Sequence, residues 1–196
     1  MNKRGKYSDI VGIILAGGSS SRMGTDKKLL TPNGIPQHQY LYNIMDEVFD
    51  RVYISINATE PFTTQQKIIR DQFDFRGPLN GILSSLQSNP GNAIFCLAVD
   101  MPNISKESIE SLLQKRDRFC PATCYLNIKS NRLEPLFSIW EPSSQDLIQK
   151  FIDKGIHSPY EILSDESVRR IESSNLKIFE NLNTPADLKN FGRNIL

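Results

Sequence analysis

The sequence predicts an α/β domain with a mainly parallel central sheet. Two continuous apolar runs, at residues 10–15 and 93–99, contain none of the polar alternation of a half-exposed strand, which is typical of strands covered on both faces. Segments with apolar residues at helical spacing lie between such runs along the chain. Strands that alternate with helices in this way form parallel sheets through right-handed crossovers.

The individual elements follow in a regular order. After the strand at residues 10–15, Leu41, Met45 and Val48 fall at helical spacing and predict the first helix. Residues 51–56 are rich in β-branched and aromatic side chains and predict a second strand. The other predicted elements are a strand at 67–70, a helix around Ile82 and Leu86, the strand at 93–99, a helix capped by Ser105, a strand at 136–140, a helix around Leu147 and Phe151, a late strand at 174–179 and a final helix from Pro185.

Length and composition favour one globular domain over residues 1–196, with an N-terminal half at about 9–104 and a C-terminal half at about 105–196. The net charge is only +1, whereas nucleic-acid-binding proteins usually have a clear excess of basic residues. The apolar runs are too short to span a membrane. Cysteine spacing does not match a zinc site. We therefore expect a cytoplasmic protein that binds neither nucleic acid nor membrane.

A glycine-rich loop follows the first predicted strand. Gly17 and Gly18 allow backbone amides to approach an anion closely, because no Cβ atom intervenes. Arg22 and Lys27 add positive charge suited to phosphates. The loop has neither the Gly-Lys-Ser/Thr triplet of a Walker A loop nor the GxGxxG pattern of dinucleotide-binding proteins. It predicts a phosphate site, and a flexible turn with a solvated basic face is the alternative.

Polar residues at three other strand ends are candidates for the same site. Asp100 directly follows the strand at residues 93–99 and precedes Met101-Pro102, which suits it to bind Mg²⁺. Ser55 and Asn57 close the second strand, and Asp71 follows the third, where each could contact a base or a ribose. A turn or cap role for Asp100 and a solvated strand end for Asp71 are the alternatives.

Five motifs, in order along residues 13–188, resemble the molybdenum cofactor guanylyltransferase (MobA) family. They are the loop Leu-Ala-Gly-Gly-x-x-x-Arg-Met-Gly-x-Asp-Lys, Gly77-Pro78-Leu79-x-Gly81-Ile82, Asp100-Met101-Pro102, Glu134-Pro135-Leu136-Phe137 and Asn181-Leu182-Asn183-Thr184-Pro185. The first and third motifs are shared with other nucleoside-triphosphate transferases and indicate the reaction class. The last two are narrower and favour the molybdenum branch.

The resemblance implies a Rossmann-like nucleotidyltransferase fold that transfers GMP from GTP to molybdopterin with Mg²⁺, and contact with other molybdenum cofactor proteins. It implies that Arg22 and Lys27 stabilise the leaving pyrophosphate and that Asp100 binds the metal. The implied GTP contacts are Leu15, Ala16, Gly17, Gly18, Lys27, Ser55 or Asn57, Asp71 and Asp100. The implied acceptor side includes Glu134, Asn181 and Asn183.

Three alternatives remain open from the sequence. The acceptor or the base could differ, as in a molybdopterin cytidylyltransferase or a sugar- or alcohol-phosphate nucleotidyltransferase. In a different class, the protein could be a nucleotide-binding carrier or regulator without turnover. The joint presence of Arg22, Lys27 and Asp100 speaks against that last alternative.

Overall fold

A seven-stranded sheet forms the centre of the protein in the computed structural model, which describes residues 7–17, 31–173, 177–182 and 187. The elements in chain order are β1 (Ile10–Leu15), α1 (Gln37–Asp46), β2 (Val52–Ile56), β3 (Ile68–Arg70), α2 (Pro78–Ser88), β4 (Ala93–Ala98), α3 (Lys106–Gln114), β5 (Ala122–Asn127), β6 (Arg132–Trp140), α4 (Ser144–Ile152), α5 (Pro159–Leu163) and β7 (Arg169–Ser173). A short 3₁₀ helix, Lys177–Phe179, follows.

The strand order is β3-β2-β1-β4-β6-β5-β7, and most neighbours are parallel. Strand β6 is the exception, because it runs antiparallel to both β4 and β5. The predicted α/β class with a mainly parallel sheet is confirmed.

Helices cover both faces of this sheet, which explains the continuous apolar runs. Every residue of β1 and β4 is buried. Successive side chains of a strand point to opposite faces. In β1, Ile10 and Ile14 accordingly pack on one face with Leu41 and Met45 of α1. On the other face, Val11 and Ile13 pack with residues of α2, α4 and α5, including Leu79, Ile82, Leu147, Ile148 and Ile162.

Two helices begin as the sequence predicts. Gly77 has a φ of 110°, which favours glycine, and Pro78 occupies the first turn of α2, where its missing N–H costs no helical hydrogen bond. The Ser105 hydroxyl accepts a hydrogen bond from the backbone N–H of Ser108. The Ser108 hydroxyl in turn accepts from the Ser105 N–H, so Ser108 completes a capping box from inside α3.

The C-terminal half contains the predicted helices α3 and α4 and the predicted strand β6, but it differs from the sequence predictions elsewhere. The late strand predicted at 174–179 is wrong for the part described, because Lys177–Phe179 is a 3₁₀ helix and the strand lies at Arg169–Ser173. This edge strand buries only Ile171, so it carries little apolar signal. Neither strand β5 nor the short helix α5 was predicted from the sequence. The final helix predicted from Pro185 lies outside the described residues, except for Asp187.

An ion network closes the edge of the sheet where β1 begins. The guanidinium of Arg116, which follows α3, donates two hydrogen bonds to Glu141, at 2.5 and 2.7 Å, and one to Asp9 at 2.8 Å. Burial alone would raise the pKa of Asp9, but the hydrogen bond and charge of Arg116, with the charge of Arg118, hold it below its ordinary value. The network joins segments that precede β1, follow α3 and follow β6.

Among the described residues, no helix has both the length and the apolar character needed to cross a lipid bilayer.

Candidate functional site

The carboxyl ends of β1, β2, β3 and β4 meet at one edge of the sheet, because these strands are parallel. Backbone hydrogen bonds continue past the strands and join the segments that leave them. The N–H groups of Ala16 and Gly17 both donate to the carbonyl of Ser55, at 2.8 and 3.1 Å. The N–H of Val99 donates to the carbonyl of Leu15, and that of Asp71 to Ile56, each at 3.0 Å. The candidates after the four strands therefore share one edge.

Gly17 lies directly against Asn57, and a side chain at position 17 would crowd it. A Cβ atom there would lie 2.8 Å from Oδ1 of Asn57 and 3.0 Å from its backbone nitrogen. The first distance is shorter than real Cβ contacts, so the Asn57 side chain would have to move, and the second is tighter than nine in ten of them, so the backbone would have to shift by a few tenths of an ångström. The first glycine of the loop thus allows β1 and β2 to end side by side.

Ser55 and Asn57 occupy different environments. Ser55 is 2% exposed and lies beneath Gly81 of α2, whose added Cβ would come within 2.5 Å of the serine hydroxyl. Asn57 is partly exposed and lines an open cleft, where its Nδ2 donates to Glu60 at 3.1 Å. The geometry favours Asn57 over Ser55 as the residue that contacts a ligand.

The cleft has a volume of about 900 Å³ and lies between the ends of β2 and β3 and the start of α2. Its lining includes Asn57, Asp71, Phe73, Phe75, Arg76 and Asn80. Hydrogen-bonding groups and aromatic rings stand side by side here, as is usual in sites for small organic ligands.

Asp71 is the carboxylate of this cleft with the clearest electrostatic perturbation. Partial burial raises its pKa to about 6, from an ordinary value of 3.8. Such a shift in a cleft is typical of functional carboxylates, although structural groups also show it. Asp71 is therefore a half-buried acceptor for N–H donors of a ligand whenever the pH exceeds about 6.

The turn that carries Asp100 is held by two separate segments. The carbonyl of Asp100 accepts from the N–H of Leu182 at 2.8 Å. The carbonyl of Met101 accepts from Nε2 of the fully buried Gln37 at 3.1 Å, and that of Pro102 from Nδ2 of Asn33 at 3.4 Å. The start of α1 and the C-terminal segment thus set the position of the turn.

Asp100 fits a metal ion that takes most of its ligands from elsewhere. Within the described part of the chain, no group of three or more His, Cys, Asp or Glu residues is placed to hold a metal by itself. Mg²⁺ is commonly bound by one or two carboxylates and completes its shell with water and substrate phosphates. A single half-buried carboxylate beside the end of β1 matches that donor set.

Glu134 lies at the same edge of the sheet, because β6 runs antiparallel to β4 and begins where β4 ends. Burial raises the pKa of Glu134 to about 7, although a hydrogen bond with Asn127 and the charge of Arg132 act to lower it. Asn181 is exposed and precedes Leu182, which bonds to Asp100. Two of the three residues predicted for the acceptor side, Glu134 and Asn181, thus lie on segments that reach the edge with the Asp100 turn.

Four predicted site residues, Gly18, Arg22, Lys27 and Asn183, lie outside the described residues. Among the others, the structure brings Leu15, Ala16, Gly17, Asn57, Asp71 and Asp100 to one edge. Sequence reasoning missed Phe73, Phe75 and Asn80, which also line the cleft. Asn80 could have been noticed, since it stands at the open position of the Gly77-Pro78-Leu79-x-Gly81 motif.

Comparisons with known proteins find relatives over most of the chain. The family model of the MobA-like NTP transferase domain matches residues 12–169. A molybdenum cofactor biosynthesis bifunctional protein of Synechocystis is 31% identical over 182 residues, which are 91% of this chain and 52% of that protein. The chain thus spans about half the length of that relative. A molybdenum cofactor guanylyltransferase of Vibrio atlanticus is 29% identical over 191 residues, covering 92% of this chain and 94% of the relative.

Two solved structures show the same fold. The molybdopterin-guanine dinucleotide biosynthesis protein A of Archaeoglobus fulgidus superposes with a TM-score of 0.77 at 20% identity, covering 94% of this chain and 97% of that one. A CMP:2-keto-3-deoxy-manno-octonic acid synthetase complexed with CTP superposes with a TM-score of 0.74 at 16% identity, covering 96% and 98%.

Proposed function

Because the chain belongs to the MobA-like NTP transferase domain family, we propose that it transfers GMP from GTP to molybdopterin, forming the guanine dinucleotide cofactor and pyrophosphate. The observation that carries the proposal is the shared edge of the sheet, where Asn57 and Asp71 line a cleft, Gly17 packs against Asn57, and the Asp100 turn follows β4 on the other side of β1. The names of the guanylyltransferase relatives support the choice of acceptor and base. We place the reaction in the cytoplasm, where GTP is available.

The reaction needs no protein nucleophile. An oxygen of the terminal phosphate of molybdopterin attacks the α-phosphorus of GTP, and the bond from that phosphorus to the bridging oxygen of pyrophosphate breaks. Such transfers depend on positioning and on neutralisation of phosphate charge. Asn57 and Asp71 would hold the nucleoside, and Asp100 would hold Mg²⁺. When bound, Mg²⁺ offsets the charge of the phosphate oxygens.

The chemistry of Asp71, if it faces the base, is a second argument for guanine. An ionised carboxylate only accepts hydrogen bonds, and guanine offers adjacent N–H donors on its Watson–Crick edge. Cytosine places the acceptor N3 beside its amino donor, so an ionised carboxylate is a poorer match. With a pKa of about 6, Asp71 is mostly ionised at neutral pH.

The loop cations and the acceptor side complete the proposal. From the motif alone, Arg22 and Lys27 are assigned to the leaving pyrophosphate. Glu134, Asn181 and Asn183 are assigned to the side where molybdopterin binds. Passing the product on would bring transient contact with other molybdenum cofactor proteins.

Titration calorimetry of GTP, CTP, ATP and UTP with Mg²⁺, followed by a transfer assay of Asp100→Asn, tests the proposal. We expect GTP to bind most tightly, and the variant to bind GTP but to lose transfer. Asp50→Asn is the control, because this exposed carboxylate precedes β2 at the opposite edge of the sheet. Tightest binding of CTP would favour a cytidylyltransferase, and nucleotide binding without any pyrophosphate release would favour a non-catalytic carrier.

A further inference from the structure

One wall of the cleft is built by a segment without regular secondary structure. Residues 71–76 connect β3 to α2, and Phe73 and Phe75 of this segment line the cleft. Their rings stack with centroids 5.7 Å apart, and His157 stacks on Phe75 at 4.5 Å with an interplanar angle of 3°. The backbone of such a segment has no neighbouring strand to bond with, so other groups must satisfy it.

The side chain of Asn80 supplies those hydrogen bonds. Its Nδ2 donates to the carbonyls of Phe73 and Phe75, each at 2.7 Å. Its Oδ1 accepts from the N–H groups of Gln72 and Phe73, both at 3.2 Å. One amide therefore pairs with both backbone groups of Phe73, as a neighbouring strand would.

Two further observations show that this amide has one orientation. Asn80 is 2% exposed, and both hydrogens of its Nδ2 face carbonyl oxygens, so a flipped amide would oppose donors to donors. The hydroxyl of Ser84, one turn later in α2, donates to Oδ1 of Asn80 at 3.1 Å and accepts from the Gln72 N–H at 3.0 Å. Side chains in the first two turns of α2 thus hold this segment in place through hydrogen bonds.

We propose that Asn80 is a positioning residue that sets the shape of the nucleotide cleft by holding residues 72–75 in place before the nucleotide arrives. The inference rests on the proposed function, since it assumes that the cleft binds the nucleotide. An irregular segment released from Asn80 would have to be ordered on binding, and that ordering would lower affinity. The position that the motif leaves open would then govern how tightly this chain holds GTP.

The test compares Asn80, in the first turn of α2, with Asn89, the residue that directly follows this helix. Asn80→Ala removes every hydrogen bond that the Asn80 side chain makes, whereas Asn89→Ala removes a buried amide at the far end of α2, whose Nδ2 donates to the carbonyl of Ser85 at 2.9 Å. By titration calorimetry, we expect Asn80→Ala to raise the Kd for GTP about tenfold or more, and Asn89→Ala to leave it at the wild-type value. In the transfer assay, KM for GTP should rise by a similar factor in Asn80→Ala, with a smaller change in kcat.

A second variant and a second measurement guard against a folding defect. Alanine is a good helix former, and Ser84→Ala removes the bonds of the Ser84 hydroxyl with Gln72 and Asn80 but leaves the bonds of Asn80 to residues 72–75, so we expect a smaller rise in the Kd for GTP. Hydrogen exchange of the ligand-free proteins should show faster exchange at Gln72 and Phe73 in Asn80→Ala, but not in Asn89→Ala.

Three outcomes would overturn the proposal. They are wild-type affinity for GTP in Asn80→Ala, an equal loss of affinity in Asn89→Ala, and unchanged exchange at Gln72 and Phe73. If the wild-type protein binds no nucleotide, the proposed function fails, and so does the role of residues 72–75 in nucleotide binding. The exchange measurement still shows whether Asn80 keeps these residues in place.

Discussion

A single methyl group added at Gly81 tests how closely α2 packs on the strand ends. In Gly81→Ala, the new Cβ would lie 2.5 Å from Oγ of Ser55 and 2.9 Å from Cδ2 of Leu15. Ser55 and Leu15 are 2% and 8% exposed, so neither can move freely into solvent. Overpacking of a core costs roughly 1–3 kcal/mol, and alanine in a helix regains about 0.5–1 kcal/mol over glycine. We expect a net loss of about 1–2 kcal/mol in the free energy of unfolding.

The same geometry predicts a rescue. In Ser55→Ala/Gly81→Ala the hydroxyl oxygen is gone, and the nearest remaining atom at position 55 is its Cβ at 3.6 Å, an ordinary van der Waals distance. The far end of Leu15 is the flexible part of that side chain and can shift by a few tenths of an ångström. We therefore expect a favourable coupling of about 1 kcal/mol or more between the two substitutions.

Urea unfolding of the wild type, both single variants and the double variant measures this coupling. Gly12→Ala is the matched control, because its Cβ would be crowded in the same way, at 2.7 Å from Met45 and 2.9 Å from Phe49, but away from Ser55. Ser55→Ala should be additive with Gly12→Ala. If Ser55→Ala is additive with Gly81→Ala as well, the proposed packing is refuted. The conclusion that Ser55 packs beneath α2 and does not contact a ligand is then refuted too.

The remaining predictions concern the cleft and the opposite edge of the sheet. Asn57→Ala should raise the Kd for GTP about three- to tenfold in titration calorimetry, whereas Ser55→Ala should leave it unchanged, because Ser55 lies beneath α2. The reverse result would make Ser55 the ligand contact and Asn57 the packing residue. GTP affinity should be present at neutral pH and fall as the pH drops through about 6, because burial raises the pKa of Asp71 to about 6 and only its ionised form accepts two N–H donors; a flat profile from about pH 5 to 8 would contradict this. Arg116 holds the pKa of Asp9 below 3.8, so the stability that Asp9 contributes is present above that pH and lost as the pH falls through the folded-state pKa. In urea unfolding, Asp9→Asn should therefore be less stable than the wild type near neutral pH and lose less on acidification, and parallel pH profiles would contradict this.

The sequence predicted the parts of the fold whose burial is uniform. Strands β1 and β4 are buried on both faces, so their apolar runs were unambiguous. Strand β7 lies at the edge and buries only Ile171, and β5 includes the buried polar residues Thr123 and Asn127, so neither showed a clear pattern. Which few residues of such a strand are buried depends on the neighbouring elements of the folded protein. The local sequence pattern therefore does not reveal it.

Site residues could be predicted from the sequence where a polar side chain directly follows a predicted strand. Asp71 and Asp100 could be predicted as candidates because each directly follows a predicted strand. Ser55 and Asn57 could not be separated, since the choice depends on which of them faces α2 and which faces the cleft. Asn80 could not be assigned a role, because its partners are backbone groups of an irregular segment whose path the sequence does not reveal.

The most direct test of the central claim is a transfer assay with purified protein, GTP and molybdopterin that follows pyrophosphate and the dinucleotide together. The account predicts that one pyrophosphate is released for each molybdopterin guanine dinucleotide formed, only when both substrates are present, and that Asp100→Asn abolishes both products while Asp50→Asn does not. Formation of the cytosine dinucleotide in preference to the guanine one, or release of pyrophosphate without any dinucleotide product, would contradict it.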